Sequence, residues 1–474
     1  MQFRPTRLDR ASKALLALVG LAAISCAASS GPGGSSEPGT GGSDSGGEGG
    51  GDTGGARGGV GGGTGGARGG EGGSSTGGQS GEVDAGRSVA ADAMAPSDVG
   101  GPPPVVSGQF RHPGILVNKG QLDFIRDKVK AGAQPWKGAY DRAMGELGSL
   151  TRKATPRAVV ECGPYSSPDI GCSEEINDAS AAYALAIAWN VTGNEAYAKK
   201  AIEVLNAWSS TLKSHANHNA PLQAGWAGAI FPVAGEIIRH TYPGWAPADV
   251  TAFSNMLKNA FLPTVIKGNG GNGNWELVMI EAALEIGVFL DDHATYQQAL
   301  DMWRKRVPAY IYVKSDGDHP PPPPLGGKGS TPEGIKAFWF NVGMYVDGVA
   351  QETCRDFGHA EYGIASVIAV AETAFQQGLD LYKDHAERLR ATLELHANYT
   401  LGAAPPSWLC GGKVDNRLMP TFEIGYNHLH NRMGLDLPRT LELIKSRIRG
   451  LEASNKHMVW ETLTHADVGW AGLR

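Results

Sequence analysis

Half of the positions from 31 to 80 are glycine, 26 in 50, and most of the rest are Ser, Thr, Ala or charged residues. Such a stretch cannot bury enough apolar surface to offset the entropy lost on ordering, so it can build no core. Residues 27–107 are therefore expected to form a disordered Gly/Ser-rich linker, and residues 108–474 the part that folds. That part is long enough for one large domain or two ordinary ones. It holds all 13 histidines and all 11 tryptophans, with 35 Lys and Arg against 38 Asp and Glu. A domain so near neutrality lacks the basic excess of a nucleic-acid binder, so no nucleic-acid partner is expected. An anionic ligand must instead be held by local arginines.

Ahead of the linker, Arg4, Arg7, Arg10 and Lys13 precede a short apolar run from Ala14 to Ile24. A basic segment followed by about ten apolar residues reads as a bacterial secretory signal, too short to span a bilayer. Ala23-Ile24-Ser25-Cys26 resembles a lipoprotein signal-peptidase box, with Ala23 where such boxes usually carry Leu. The expectation is a signal over 1–26, lipidation of Cys26 and an outer-membrane-anchored protein, periplasmic or at the cell surface. A secreted protein is the alternative. The only membrane contact expected is that lipid anchor. Export implies an oxidising compartment in which cysteines pair. Cys162 and Cys172 bracket a loop-like stretch and are expected to bond, with Cys354 and Cys410 a weaker second pair. No CxxC or HxxxH spacing points to zinc, and no metal or cofactor is expected.

Beyond the linker, apolar residues recur at helical spacing. Leu122, Ile125 and Val129 open one amphipathic helix, and Pro135-Trp136 opens the next. Residues 176–191 and 195–212 form a pair joined by Thr192-Gly193-Asn194. Further helices are predicted at about 229–240, 248–261, 275–290, 294–310, 333–350, 359–382, 384–400 and 438–453. Pro320–Pro324 reads as a stiff surface loop. Helix pairs without a fixed-length repeat predict an all-α fold, a toroid or barrel of antiparallel helix pairs.

Three stretches could carry chemistry. In Glu352-Thr353-Cys354-Arg355-Asp356-Phe357-Gly358-His359-Ala360-Glu361-Tyr362, the residues Glu352, Arg355, His359 and Tyr362 would share one helix face. The glycine-rich run Gly268–Gly273 leads into Asn274-Trp275, where Asn274 would either cap a helix or meet a ligand. The third stretch, Glu423–Arg432, contains Tyr426, His428 and Arg432.

With these stretches in view, most of residues 110–470 resembles the alginate lyase family of polysaccharide lyases. HPGILVNKGQLDFIRDKV, NDASAAYALAIAWNVTGNEAYAKKA, AGWAGAIFPVAGEIIR, GNW, EIGYNHLHNR and above all ETCRDFGH carry the resemblance. It implies an incomplete (α/α) toroid that cleaves 4-linked uronic-acid polymers by β-elimination, alginate first and glucuronan second. The resemblance makes Asn274 the group that neutralises the uronate carboxylate, and His359 the base or a second neutraliser. Tyr426 is favoured as proton donor, with Tyr362 the alternative. Arg355 would hold a carboxylate, oriented by Glu352. Trp226, Trp275 and Trp339 would offer stacking faces, and Gln223, His428 and Arg432 would complete the substrate-binding set. Trp275 stands where some alginate lyases carry a second catalytic histidine. Two other readings stay open. One is an inverting glycoside hydrolase using carboxylates among Asp178, Glu276 and Glu352; the other is a non-catalytic glycan-binding lipoprotein.

Overall fold

The computed structural model describes residues 108–327, 329–417, 419, 421–451 and 460–469. The signal, Cys26 and the linker expected over residues 1–107 lie outside the described residues.

Sixteen α-helices run through the described chain. The first half holds α1 (Lys119–Lys130), α2 (Trp136–Leu147), α3 (Cys172–Thr192), α4 (Glu195–Thr211), α5 (Ala220–Gly228), α6 (Phe231–Thr241), α7 (Pro247–Met256) and α8 (Leu262–Val265). The second half holds α9 (Gly273–Phe289), α10 (His293–Arg306), α11 (Pro332–Phe338), α12 (Phe357–Gln376), α13 (Tyr382–Thr400), α14 (Glu423–Tyr426), α15 (Pro438–Ser446) and α16 (Trp460–His465). Three of these, α3, α9 and α12, are buried on nearly every side. A helix apolar all round has to be enclosed by others. Its partners α4, α10 and α13 carry one buried stripe and one solvated face, as outer helices should. The short turn between α3 and α4 shows how the pairs are made. Gly193 ends α3 at φ 70, a left-handed conformation that suits glycine, and the Asn194 side chain caps α4 by accepting from the Ala196 N–H.

The helices close on themselves. α3 packs on α6, α6 on α9, α9 on α12, α12 on α14 and α14 on α16, and α16 returns to α1 and α2, which pack on α3. This is the expected all-α toroid, with an inner ring wrapped by outer helices. Its core holds large side chains: Trp208 and Trp303 are fully buried. Truncating either to alanine should cost about 3–5 kcal/mol.

Strands are few and short among the described residues. β1 (Gly114–Ile115) and β2 (Val117–Asn118) pair antiparallel, while β3 (Val159–Cys162) lies between antiparallel β4 (Asp169–Ile170) and parallel β5 (Ser214–Ala216). Cys162 and Cys172 are bonded, joining the end of β3 to the start of α3, and Cys354 is bonded to Cys410.

Four predicted helices are corrected: those expected over 359–382 and 438–453 end at Gln376 and Ser446, and two more also end early. The one expected over 333–350 ends at Phe338, because Phe340 and Asn341 both turn to positive φ, 52 and 56. The one expected over 294–310 stops at Arg306. Trp339, expected as a sugar-stacking face, is instead a core residue, 1% exposed beneath this loop.

Candidate active site

The N-terminal ends of α9 and α12 come together around one buried carboxylate, Glu352. Its Oε2 accepts from the Asn274 backbone N–H at 3.1 Å and from the Tyr310 hydroxyl at 3.3 Å, and its Oε1 accepts from Arg355 Nη1 at 2.9 Å. Burial pushes the Glu352 carboxyl up, and Arg355 and His359 pull against that rise. The next residue outward in the loop is held in the same way: the Gly273 N–H donates to Gln351 Oε1 at 2.8 Å. Beneath lies a buried ion pair, Arg306 with Glu276, at 3.3 Å.

Asn274 does not cap α9. The cap position belongs to Asn272, and Asn274 lies buried in the first turn. Its side-chain Oδ1 has no hydrogen-bond partner among the described residues. A buried polar atom left unsatisfied is costly in a folded protein and calls for an explanation.

Glu352 and Arg355 also sit differently from expectation. α12 begins only at Phe357, so both lie in the turn before it and do not share its face with His359. The turn nonetheless gathers them. Arg355 is paired to Glu352 on one side, keeps 26% of its side chain exposed, and lies over the Phe340 ring at 6.0 Å. Positive φ at Phe340, the feature that ends the preceding helix, belongs to the loop that presents that ring.

Asp356 is the residue that the motif analysis passed over. It caps α12 by accepting from the His359 N–H at 2.8 Å, and its other oxygen meets His359 Nδ1 at 2.6 Å. Burial raises the Asp356 carboxyl, but the His359 ring and backbone, with Arg417, outweigh it and hold the group below the usual carboxylate range. A carboxylate at Nδ1 fixes the tautomer that carries its proton there, so Nε2 is the nitrogen able to accept another. An aspartate just ahead of an apolar helix is a cap signal, and it could have found this residue. Tyr310 and Arg306 had no comparable signal.

Tyr362 lies one turn beyond His359 on α12, partly exposed, with its ring 6.4 Å from that of Trp226 on α5. Trp275 is likewise partly exposed and sits edge-on to His218 at 5.7 Å. Asn274, Trp275, Arg355, His359, Tyr362 and Trp226 are thus carried by the N-terminal end of α9, the turn ahead of α12, the start of α12, and α5.

The remaining expected residues are placed elsewhere. Tyr426 is buried on α14, stacked on His430 at 4.9 Å, with Asp467, Arg449 and Glu423 as its charged neighbours; burial pushes its hydroxyl up to about 12. His428 and Arg432 are buried around Glu372, with Arg432 Nη1 at 3.0 Å from both carboxylate oxygens and His428 stacked on Tyr382 at 3.7 Å. Gln223 uses its amide to bridge the Cys172 carbonyl and Glu175 inside the ring. These three side chains hold the fold together rather than face a ligand. The carboxylates weighed for a hydrolase are similarly committed: Asp178 to Arg152, Thr155 and Trp208, Glu276 to Arg306, and Glu352 to the contacts above.

Tyr310 sets the distance between α9 and α12. Its ring lies against Gly273 of α9 and Gly363 of α12, and a Cβ at either position would collide with it. Its hydroxyl also faces the His359 and Ala360 carbonyls at 3.3 and 3.2 Å. Further into the ring a cavity of about 70 Å³ is lined by Trp226, Tyr183, Glu281 and Glu461. Burial pushes the Glu281 carboxyl up to about 7 and the Glu461 carboxyl up to about 8, so both keep a proton to higher pH than a solvated carboxyl.

The alginate lyase family model matches residues 170–320, a stretch that includes Asn274 and ends before Arg355. No curated protein matches the chain. Among solved structures, alginate lyase A1-III from Sphingomonas species A1 is similar at 15% identity and a TM-score of 0.46, covering 73% of this chain and 94% of that one. An A1-III variant complexed with tetrasaccharide is similar at 16% identity and a TM-score of 0.43, covering 61% and 81%. An alginate lyase from Bacteroides ovatus is similar at 12% identity and a TM-score of 0.45, covering 75% and 99%. Over residues 170–320 the chain carries the sequence pattern of the alginate lyase family.

Proposed function

We propose that this protein is a polysaccharide lyase that cleaves 4-linked uronic-acid polymers, alginate in first place, by β-elimination. The observation that carries this reading is the Asp356–His359 pair, set beside Arg355 and the buried Asn274, whose side-chain Oδ1 has no partner among the described residues. β-Elimination removes the proton at C5, α to the uronate carboxylate, and expels the oxygen at C4. That proton is too weakly acidic while the carboxylate keeps its full negative charge. Arg355 and the Asn274 amide neutralise it and stabilise the charge that develops as the proton leaves. His359 Nε2 accepts the proton, with Asp356 stabilising the imidazolium that results. Tyr362 donates to the departing oxygen; it shares α12 with His359 and stands beside Trp226, a sugar-stacking face. The assignment moves the proton donor from Tyr426 to Tyr362, because Tyr426 is packed into the cluster of α14 and His430.

Residues 1–107 are proposed to export the protein and tether it to the outer membrane through Cys26, on the strength of their sequence alone. The decisive experiment is digestion of alginate, glucuronan and an uncharged glucan, followed by near-ultraviolet absorbance. Only elimination generates a conjugated unsaturated uronide. Reducing ends formed without that absorbance would establish a hydrolase, and absence of both would leave a binding protein.

A further inference from the structure

At the far end of α9 from Asn274, three side chains from two separate segments of the chain converge. His112 lies in the segment just before β1, while Glu236 and His240 lie one turn apart on α6. α9 has 17 residues, so this cluster stands about 25 Å from the Asn274 end of the helix. His112 Nδ1 is 2.6 Å from Glu236 Oε1, and His240 Nε2 is 3.6 Å from Glu236 Oε2. One ligand atom from each residue falls within 4.8 Å of the others.

We propose that His112, Glu236 and His240 form a binding site for one zinc-like divalent ion, which clamps the start of the folded domain to α6. Two imidazoles and one carboxylate are a zinc donor set that leaves a fourth position for water. His240, 24% exposed at its side chain, keeps that position within reach of solvent. Two observations distinguish the cluster from a chance grouping. Glu236 is fully buried, yet its Oε2 has no hydrogen-bond partner among the described residues, while its Oε1 accepts from both His112 and the Gly114 N–H. An ion between Oε2 and His240 supplies the missing partner. His112 Nε2 is also held by Asp291 Oδ1 at 3.0 Å, and Asp291 itself lies 3.8 Å from Arg239 through its other oxygen. A carboxylate on the distal nitrogen leaves Nδ1 as the metal-binding nitrogen, which is how proteins orient a histidine ligand. The His112 and His240 rings lie nearly parallel, 4.4 Å apart, so two imidazoles already face one carboxylate. The site departs from the expectation of no metal because Glu236 and His240 are a single i,i+4 pair, and His112 joins them only through the fold, across 124 residues.

The test uses the full chain, stripped with a chelator and titrated with zinc chloride at pH 7. Bound metal is counted by mass spectrometry, and unfolding is followed by calorimetry. The expected result is one zinc per chain and a rise in Tm of at least about 2 °C. His240→Ala, at a partly exposed position, should weaken zinc binding at least tenfold, and Asp291→Asn by about 10–100-fold. Both variants should keep wild-type Tm in chelator and wild-type lyase turnover. Absence of stoichiometric zinc, or zinc binding that neither substitution weakens, would overturn the proposal and leave a proton shared by His112, Glu236 and Asp291 as the clamp.

Discussion

His359 and Tyr362 are three residues apart on one helix, and replacing either should stop the reaction without unfolding the protein. Tyr362→Phe removes one hydroxyl, and turnover is expected to fall by about 10²–10⁴-fold, as is typical of a lost general acid. His359→Ala should cost a similar factor, and the double variant far less than the product, since the two act as a unit. Tyr426→Phe should retain near-wild-type turnover; inactivity there with an active Tyr362→Phe would return the acid to α14. Asp356→Asn separates two roles of one side chain. Asparagine still caps a helix, so Tm should change little, while turnover should fall at least tenfold because the imidazolium loses its counter-charge. Circular dichroism beside steady-state rates checks both halves. Asn274, Arg355 and His359 were legible as single residues, since their chemical types suit a uronate. Asp356 was legible in principle as a cap. Tyr310 was not, because nothing in the order of residues says that a tyrosine 42 positions before Glu352 reaches it.

Among the elements, the stretch from Phe340 to Phe357 holds Arg355 in place and has almost no regular structure of its own. Cys354 anchors it to Cys410, 56 residues further along. A bridge closing a loop of that length is worth about 4 kcal/mol in the chain-entropy picture. The paired Cys354→Ser and Cys410→Ser variant is therefore expected to lose several degrees of Tm together with turnover. A drop in Tm with unchanged turnover would separate the bridge from the placement of Arg355. The inner helices were legible because a long apolar run bounded by Gly193 or Asn194 admits few other readings. The helix predicted over 333–350 failed at Phe340 and Asn341, where Phe340 turns to meet Arg355 and, just beyond, the Gly343 N–H donates to the Trp408 carbonyl, so tertiary contact overrides local periodicity. The cap of α9 failed by two residues, since three asparagines in one glycine-rich loop are equivalent until Glu352 selects among their backbone groups.

For the molecule as a whole, the carboxyls inside the ring make stability depend on pH. Glu281 and Glu461 are held up to about 7 and about 8, against about 4.3 in an unfolded chain. Between these values the folded protein binds more protons than the unfolded one. Stability must therefore be greatest below about pH 4 for these two groups and fall as pH rises towards 8. Glu281→Gln removes one of them: the variant should gain on the order of 2–3 kcal/mol at pH 8 and almost nothing at pH 4. Denaturant titrations at the two pH values measure the difference, and equal gains at both would refute the ionisation argument. A protein beginning at Gly108 should turn over soluble substrate as fast as the full chain, because the linker's composition cannot build a pocket wall. The toroid was legible at this scale from helix pairs. The grouping of His112 with Glu236 was not, being a contact across 124 residues.

The ring of Tyr310, wedged between Gly273 and Gly363, has an evolutionary consequence. A side chain at either glycine would push the tyrosine away from Glu352, and a smaller residue at 310 would leave a gap that either glycine position could then fill. The three sites are therefore bound to change together in descent, although they lie far apart in the chain. In a collection of relatives, their joint pattern would trace the spacing of α9 and α12.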